Sequence, residues 1–271
     1  MLPKGQGGMA WLQYDYQDQN RNWNGTWRAP ASNNDDKQIE TDFVMFGLQY
    51  MFNDKWGARL EAPFASRCFK ADDGTGNIAM HDWSQLGDIR IEEIYTGFFA
   101  DLSAGVTFGL KLPTGSHTEN PDFVDRDTQI GTGSTDILLG GFYRGNLDQN
   151  QRWDWFAQLQ LDAPALIQDH YRPGLELDAA AGIDYKGFSL GRVKISPVAQ
   201  VIFSERTSDT GANSASPVAS GYQRVMISPG VEFHIHPVKI YADVEFPVYQ
   251  HFTGNQLAAP VLFKVSASWM F

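Results

Sequence analysis

The last twelve residues, PVLFKVSASWMF, alternate without a break. Val261, Phe263, Val265, Ala267, Trp269 and Phe271 fall on one face, while Lys264, Ser266 and Ser268 fall on the other. A period of two marks a strand with one apolar and one polar face. The same pattern recurs back through the chain. In KIYADVEFPVY, Ile240, Ala242, Val244 and Phe246 oppose Asp243 and Glu245, and in LSAGVTFGLKLP the alternate positions Leu102 to Leu112 form an apolar row. Residues 8–17, 41–52, 56–65, 87–99, 102–113 and 134–146 read as the strands of the first half. The weakest is GDIRIEEIYTGFF, where Glu92 and Glu93 break the alternation and a β-bulge is expected to restore it.

The connections carry a second regularity. They alternate long and short, with short breaks at NDK, Ala100–Asp101, DQNQ, KGFSLG and HPV. The long ones cover residues 18–40, 66–86, 114–133, 163–173, 206–220 and 250–259. Outer-membrane barrels have short periplasmic turns and longer external loops, and a soluble sandwich has no reason to sort loops in this way. The fold expected is therefore all-β: a single transmembrane antiparallel up-and-down barrel over 1–271, with about twelve strands and both termini periplasmic. Closure follows from the solvent, because an open sheet edge in hydrocarbon leaves backbone groups unpaired.

Composition agrees once the architecture is in view. Mean hydropathy is only -0.34, yet the chain holds 8 Trp, 10 Tyr and 18 Phe. A barrel strand needs just one apolar face. Phe52, Trp56, Phe99, Trp153, Trp155, Tyr185, Phe188 and Trp269 fall at short-turn ends; Tyr16, Phe64, Phe203 and Tyr249 fall at long-loop ends. These are the positions of interfacial aromatic girdles. No apolar run reaches the roughly 18 residues of a membrane helix. The net charge of -11 argues against nucleic-acid binding. One cysteine, Cys68, excludes a disulfide framework within the chain. The opening MLPKGQGG lacks the charged and apolar regions of a signal peptide, as expected of a mature or engineered form.

Several strings resemble the outer-membrane transporter family associated with the meta-pathway of phenol degradation. They are MLPKG at the start, GDIRIEEIY, GLKLPTG, GTGSTDILLGGFY, and EFPVYQHFTGNQL before the closing strand. The resemblance implies an outer-membrane barrel taking up small compounds, aromatic ones among them. The terminal Phe271 resembles the signal read by the barrel assembly machinery. The long loop NRNWNGTWRAPASNNDD departs from the family pattern.

The polar face supplies the candidate site. Arg59, Glu61, Arg90, Glu92, Lys111, Arg224, Glu232, Asp243, Glu245 and Lys264 are expected to face the interior, with Glu232, Asp243, Glu245 and Lys264 on three successive strands as one possible cluster. Charges at membrane depth persist only when paired or hydrated, so they serve either as struts or as the wall of a conduit. Trp23, Trp27 and Phe252 are the loop aromatics expected to meet an apolar solute first. His234 and His236 alone among the histidines are closely spaced, and no metal site or cofactor is expected. No local motif ties a serine to a histidine. The expected function is a channel or transporter for small molecules, with lipid bilayer and lipopolysaccharide around it. A lipid-modifying hydrolase and a structural or adhesive barrel acting through its loops are the alternatives.

Overall fold

The computed structural model describes residues 6–271. Its strands are β1 (Gly7–Gln19), β2 (Asp36–Met51), β3 (Trp56–Asp72), β4 (Ile78–Leu86 with Ile89–Tyr95), β5 (Ala104–Leu112) and β6 (Ser134–Asn146). The second half adds β7 (Trp153–Ile167), β8 (Glu176–Tyr185), β9 (Val193–Arg206), β10 (Tyr222–Ile235), β11 (Val238–Ala258) and β12 (Leu262–Met270). Each pairs antiparallel with the next, and β12 returns to β1 through Met9↔Met270 to Gln17↔Leu262. The twelve-stranded barrel is closed.

Facing follows the alternation. On β12, Phe263, Val265, Ala267 and Trp269 are exposed on the outer wall, and Lys264, Ser266 and Ser268 turn inward. Leu12, Phe46, Leu60, Ile91, Phe108, Leu139, Leu159 and Ile227 continue the apolar outer band. In a soluble protein such exposure would be costly; here lipid covers it. Aromatic rings meet at the short-turn rim, where Trp56 and Tyr95 lie 4.7 Å apart and Trp153 and Tyr185 5.0 Å.

Three expectations need correction. Residues 66–86 do not form a long loop. The hairpin of β3 and β4 continues through Cys68↔Asp82 to Asp72↔Ile78, leaving only residues 73–77 as the turn. The break expected at Ala100–Asp101 is a connection over residues 96–103. No bulge restores the register at Glu92 and Glu93 either, because β4 pairs evenly with both neighbours there. Glu92 turns inward and Glu93 outward. Glu93 stands two residues from the end of β4, close to the interface, where a carboxylate costs little.

The irregularity in β4 lies earlier, at Gly87–Asp88. Register passes from Phe64↔Leu86 to Glu61↔Arg90, so β4 carries one extra residue. A bulge re-aims a side chain, and here it turns Asp88 into the barrel. Asp88 Oδ1 accepts the Gly115 N–H at 3.0 Å, and Oδ2 accepts the Thr132 N–H at 2.8 Å. One carboxylate thus ties both ends of the segment 113–133. At that neck a β-carbon on Gly131 would lie 2.2 Å from the Gly115 carbonyl oxygen, so a side chain is sterically barred.

Candidate functional site: a crowded lumen and two seams in the wall

The inward charges fall into separate groups. Arg59 Nε donates to Glu92 at 2.9 Å and lies 3.7 Å from Glu61. Lys111 pairs with Asp136, which also accepts the Ser134 hydroxyl at 2.5 Å. Arg90 reaches over β5 and β6 to Asp162 on β7, with 2.5 Å between Nη2 and Oδ2. Such a contact between non-neighbouring strands is a chord through the lumen.

Of the expected cluster, Asp243, Glu245 and Lys264 lie together, with Lys264 opposite Asp243 in register, while Glu232 pairs elsewhere. Lys264 pairs with Glu245 at 2.8 Å, and Glu232 with Lys239 at 3.0 Å. Asp243 instead accepts hydrogen bonds from Ser228 at 2.5 Å, Tyr241 at 2.9 Å and Gln200 at 3.0 Å. Burying a carboxylate requires such partners; all three reach Oδ2, the buried Oδ1 has none, and Lys264 stands opposite in register. Arg224 lies over the Tyr222 ring at 4.2 Å. The acids of the lumen are therefore mostly engaged. Sequence reasoning picked the residue types but could not pair them.

The mouth is crossed by the segment 113–133. Val124 and Phe123 pack against Phe69, which points inward from β3, together with Ala71 and Trp83. Arg67 donates from Nη1 to the Thr128 carbonyl. Toward the opposite wall, Arg126 sits 4.3 Å from the ring centre of Tyr171. Tyr171 donates to Asp209 at 2.7 Å, and Asp209 pairs with Arg206 at 2.6 Å. Enclosure in the mouth, with Asp125 and Asp209 nearby, pushes Asp127 up to about 6.

The wall itself has two seams on the long-loop side. β7 and β8 pair up to Asp162↔Glu176, and above that level β7 continues against β6 alone. A cavity of about 280 Å³ lies there, bordered by Ala163 and Pro164 on one side and Pro173 and Leu175 on the other. β11 and β12 pair up to Glu245↔Leu262. Above it β11 follows β10, turns near Gly254 and descends against Arg21–Gly25. The cavity left between the two legs, about 240 Å³, is lined by Pro247, Tyr249, Pro260, Arg21 and Trp23.

Proline borders both seams on both sides. It has no N–H to leave unpaired, so an unzipped edge costs less there than with any other residue. A register shift accompanies each seam, at Pro164/Leu166 and opposite Val225/Met226. The seams begin about ten residues above the short turns, near the far edge of a membrane-spanning strand.

Of the loop aromatics, Trp23 lines the second seam and Trp27 stands 65% exposed at a hairpin tip. Phe252 is 4% exposed and packs near Tyr222, so it belongs to the fold's interior. The seams escaped sequence reasoning, although the prolines within otherwise regular strands were a visible signal.

No protein-family model and no curated protein matches the sequence. Among solved structures, the COG4313 outer membrane channel from Pseudomonas putida F1 superposes with a TM-score of 0.69 at 12% identity, covering 100% of this chain and 97% of that one. The beta domain of the Bordetella autotransporter BrkA follows at 0.55 and 11% identity, covering 98% and 100%. These likenesses are of fold. The chain is an outer-membrane-type β-barrel.

Proposed function

We propose that this barrel is an outer-membrane channel for small, partly apolar molecules, which pass between the outer leaflet and the lumen through the wall seams. The observation carrying this reading is the pair of proline-bordered seams at one level of the wall. The central path is narrowed by the Arg90–Asp162 chord and covered by the segment 113–133. A side entrance gives an apolar solute a way in that avoids both. Trp23 and Tyr249 offer aromatic faces there and Arg21 a cation, which suits small aromatic compounds. The channel named in the Pseudomonas putida structure shares the fold and is consistent with this role. In this reading the short turns and both termini are periplasmic, lipopolysaccharide flanks the seams, and Phe271 is the residue recognised during barrel assembly.

Uptake of small aromatic compounds into vesicles holding the folded barrel tests the proposal. Trp23→Ala with Tyr249→Ala should slow uptake several-fold while leaving conductance to small ions unchanged. Equal loss of both, or no uptake in the native barrel, would reject the seam route. A second reading is conduction of ions along the polar lumen. It draws on the inward acids Asp15, Glu176 and Asp178, which accept hydrogen bonds from the neutral side chains of Gln13, Tyr222 and Ser204. Planar-bilayer recording decides it.

A further inference from the structure

We propose that the segment 113–133 is an acid-closed latch over the barrel mouth, fastened at its flanks by two contacts that gain attraction when a proton binds. This inference rests on the channel reading above. Two histidine–carboxylate contacts fasten the segment at its flanks. His117 Nε2 lies 2.8 Å from Asp169 in the connection between β7 and β8. His81 Nε2, on the extension of β4, lies 3.0 Å from Glu119 of the segment, with the imidazole stacked on Trp83 at 5.4 Å. Histidine changes charge between pH 5 and 8. The neutral ring can still donate a hydrogen bond, but the charge attraction exists only below its titration.

A second set of groups acts in the same direction. Within the segment, Asp125 faces Asp36 of β2 and Asp35 just before it; enclosure raises its carboxyl, the hydrogen bond with Asp36 works against that, and the charge of Asp35 adds to it. Asp127 faces Asp125 and Asp209, with Arg206 as the opposing charge. Arg126, which lies beside His117 at Gly133, acts the other way, because it is attracted to the carboxylates of Asp169, Asp209 and Asp88. An imidazole gives up its charge as pH rises through the ordinary histidine range, while the ionised acids of segment and wall repel one another. In mild acid the pairs form and the repulsion fades. Meanwhile the apolar seat of Val124 on Phe69 carries no charge, and the hydrogen bonds that Asp88 accepts tether both ends of the segment, so at high pH it loosens without detaching.

Hydrogen exchange of the folded barrel in lipid nanodiscs tests the latch directly, read on residues 117–132 and corrected for intrinsic rates. Protection at about pH 5.5 should exceed that at about pH 8 by roughly tenfold, the scale of two partly exposed ion pairs. In His81→Gln/His117→Gln the difference should shrink at least threefold. Glu119→Gln/Asp169→Asn should do the same, and serves if the histidine variant does not fold. Equal protection at the two pH values, or an undiminished difference in a folded variant, overturns the proposal. Exchange reports the segment whether or not solute passes, so loss of the channel reading would appear separately, in uptake and conductance.

Discussion

Arg90 and Asp162 meet across the lumen at 2.5 Å although 72 residues and two intervening strands separate them. Asp162 is almost fully enclosed, with 7% of its side chain exposed against 29% for Arg90. An enclosed carboxylate stripped of its partner is costly, whereas replacing both partners together is much milder. Arg90→Ala should therefore destabilise the barrel by about 2 kcal/mol, below the usual range for buried pairs because Arg90 is partly solvated. Arg90→Ala with Asp162→Ala should recover most of that loss and widen the lumen. Urea unfolding from lipid vesicles measures the first effect and single-channel conductance the second. Additive destabilisation in the double variant would show that the two side chains do not act as a pair.

The orientation of β12 gives a sharper contrast between neighbours. Val265 is 46% exposed on the outer wall, and Ser266 beside it turns into the lumen. Arg at position 265 would meet hydrocarbon near mid-membrane and should cost roughly 2–4 kcal/mol. Ser266→Arg would face water and other side chains, with a loss of at most about 1 kcal/mol expected. Equal costs in vesicle folding titrations would mean that the register is shifted by one.

How much of this was legible beforehand depended on what each face of a strand touches. VLFKVSASW declares its facing because lipid demands one apolar side along its whole length. RCFKAD and IAMHDWSQL carry weaker signals, since they rise beyond the apolar band and meet water outside. Hence they passed for loop. The lumen residues were legible as types but not as pairs. Which cation meets Asp162 depends on closure and stagger of the whole barrel, and no local spacing encodes it. The same holds for Asp88, whose role as an anchor arises from a single inserted residue at Gly87–Asp88.

The Lys264–Glu245 pair sets an expectation for selectivity. Asp243 beside it is held by Ser228, Tyr241 and Gln200, so it keeps its place without Lys264. Glu245→Gln alone removes the carboxylate that Lys264 contacts directly, leaving Asp243 and Asp15 opposite it, and the local potential becomes more positive. Cation preference should fall in planar-bilayer recordings, and fall further in Glu245→Gln/Asp243→Asn. If reversal potentials under a salt gradient are the same in all three proteins, ions do not pass this part of the lumen.

Asp127 supplies the last prediction, and its sign can be worked out from its surroundings. The side chain reaches the water of the mouth, yet its enclosure and the charges of Asp125 and Asp209 push it up to about 6. A raised acid binds its proton more readily in the closed arrangement than in a free chain. Closure is therefore opposed by this group above about pH 6, and the opposition fades as pH falls through that value toward the ordinary carboxylate range near ~4. Asp127→Asn removes the charge at every pH. It should raise the protection of residues 117–132 at about pH 8 and leave it nearly unchanged at about pH 4.5. Conservation of the pair with Arg206 would produce the opposite result, because losing an attractive charge would loosen the segment at high pH. Hydrogen exchange of Asp127→Asn at the two pH values separates these outcomes: greater protection at high pH means that repulsion from Asp125 and Asp209 dominates, and lower protection means that Arg206 does.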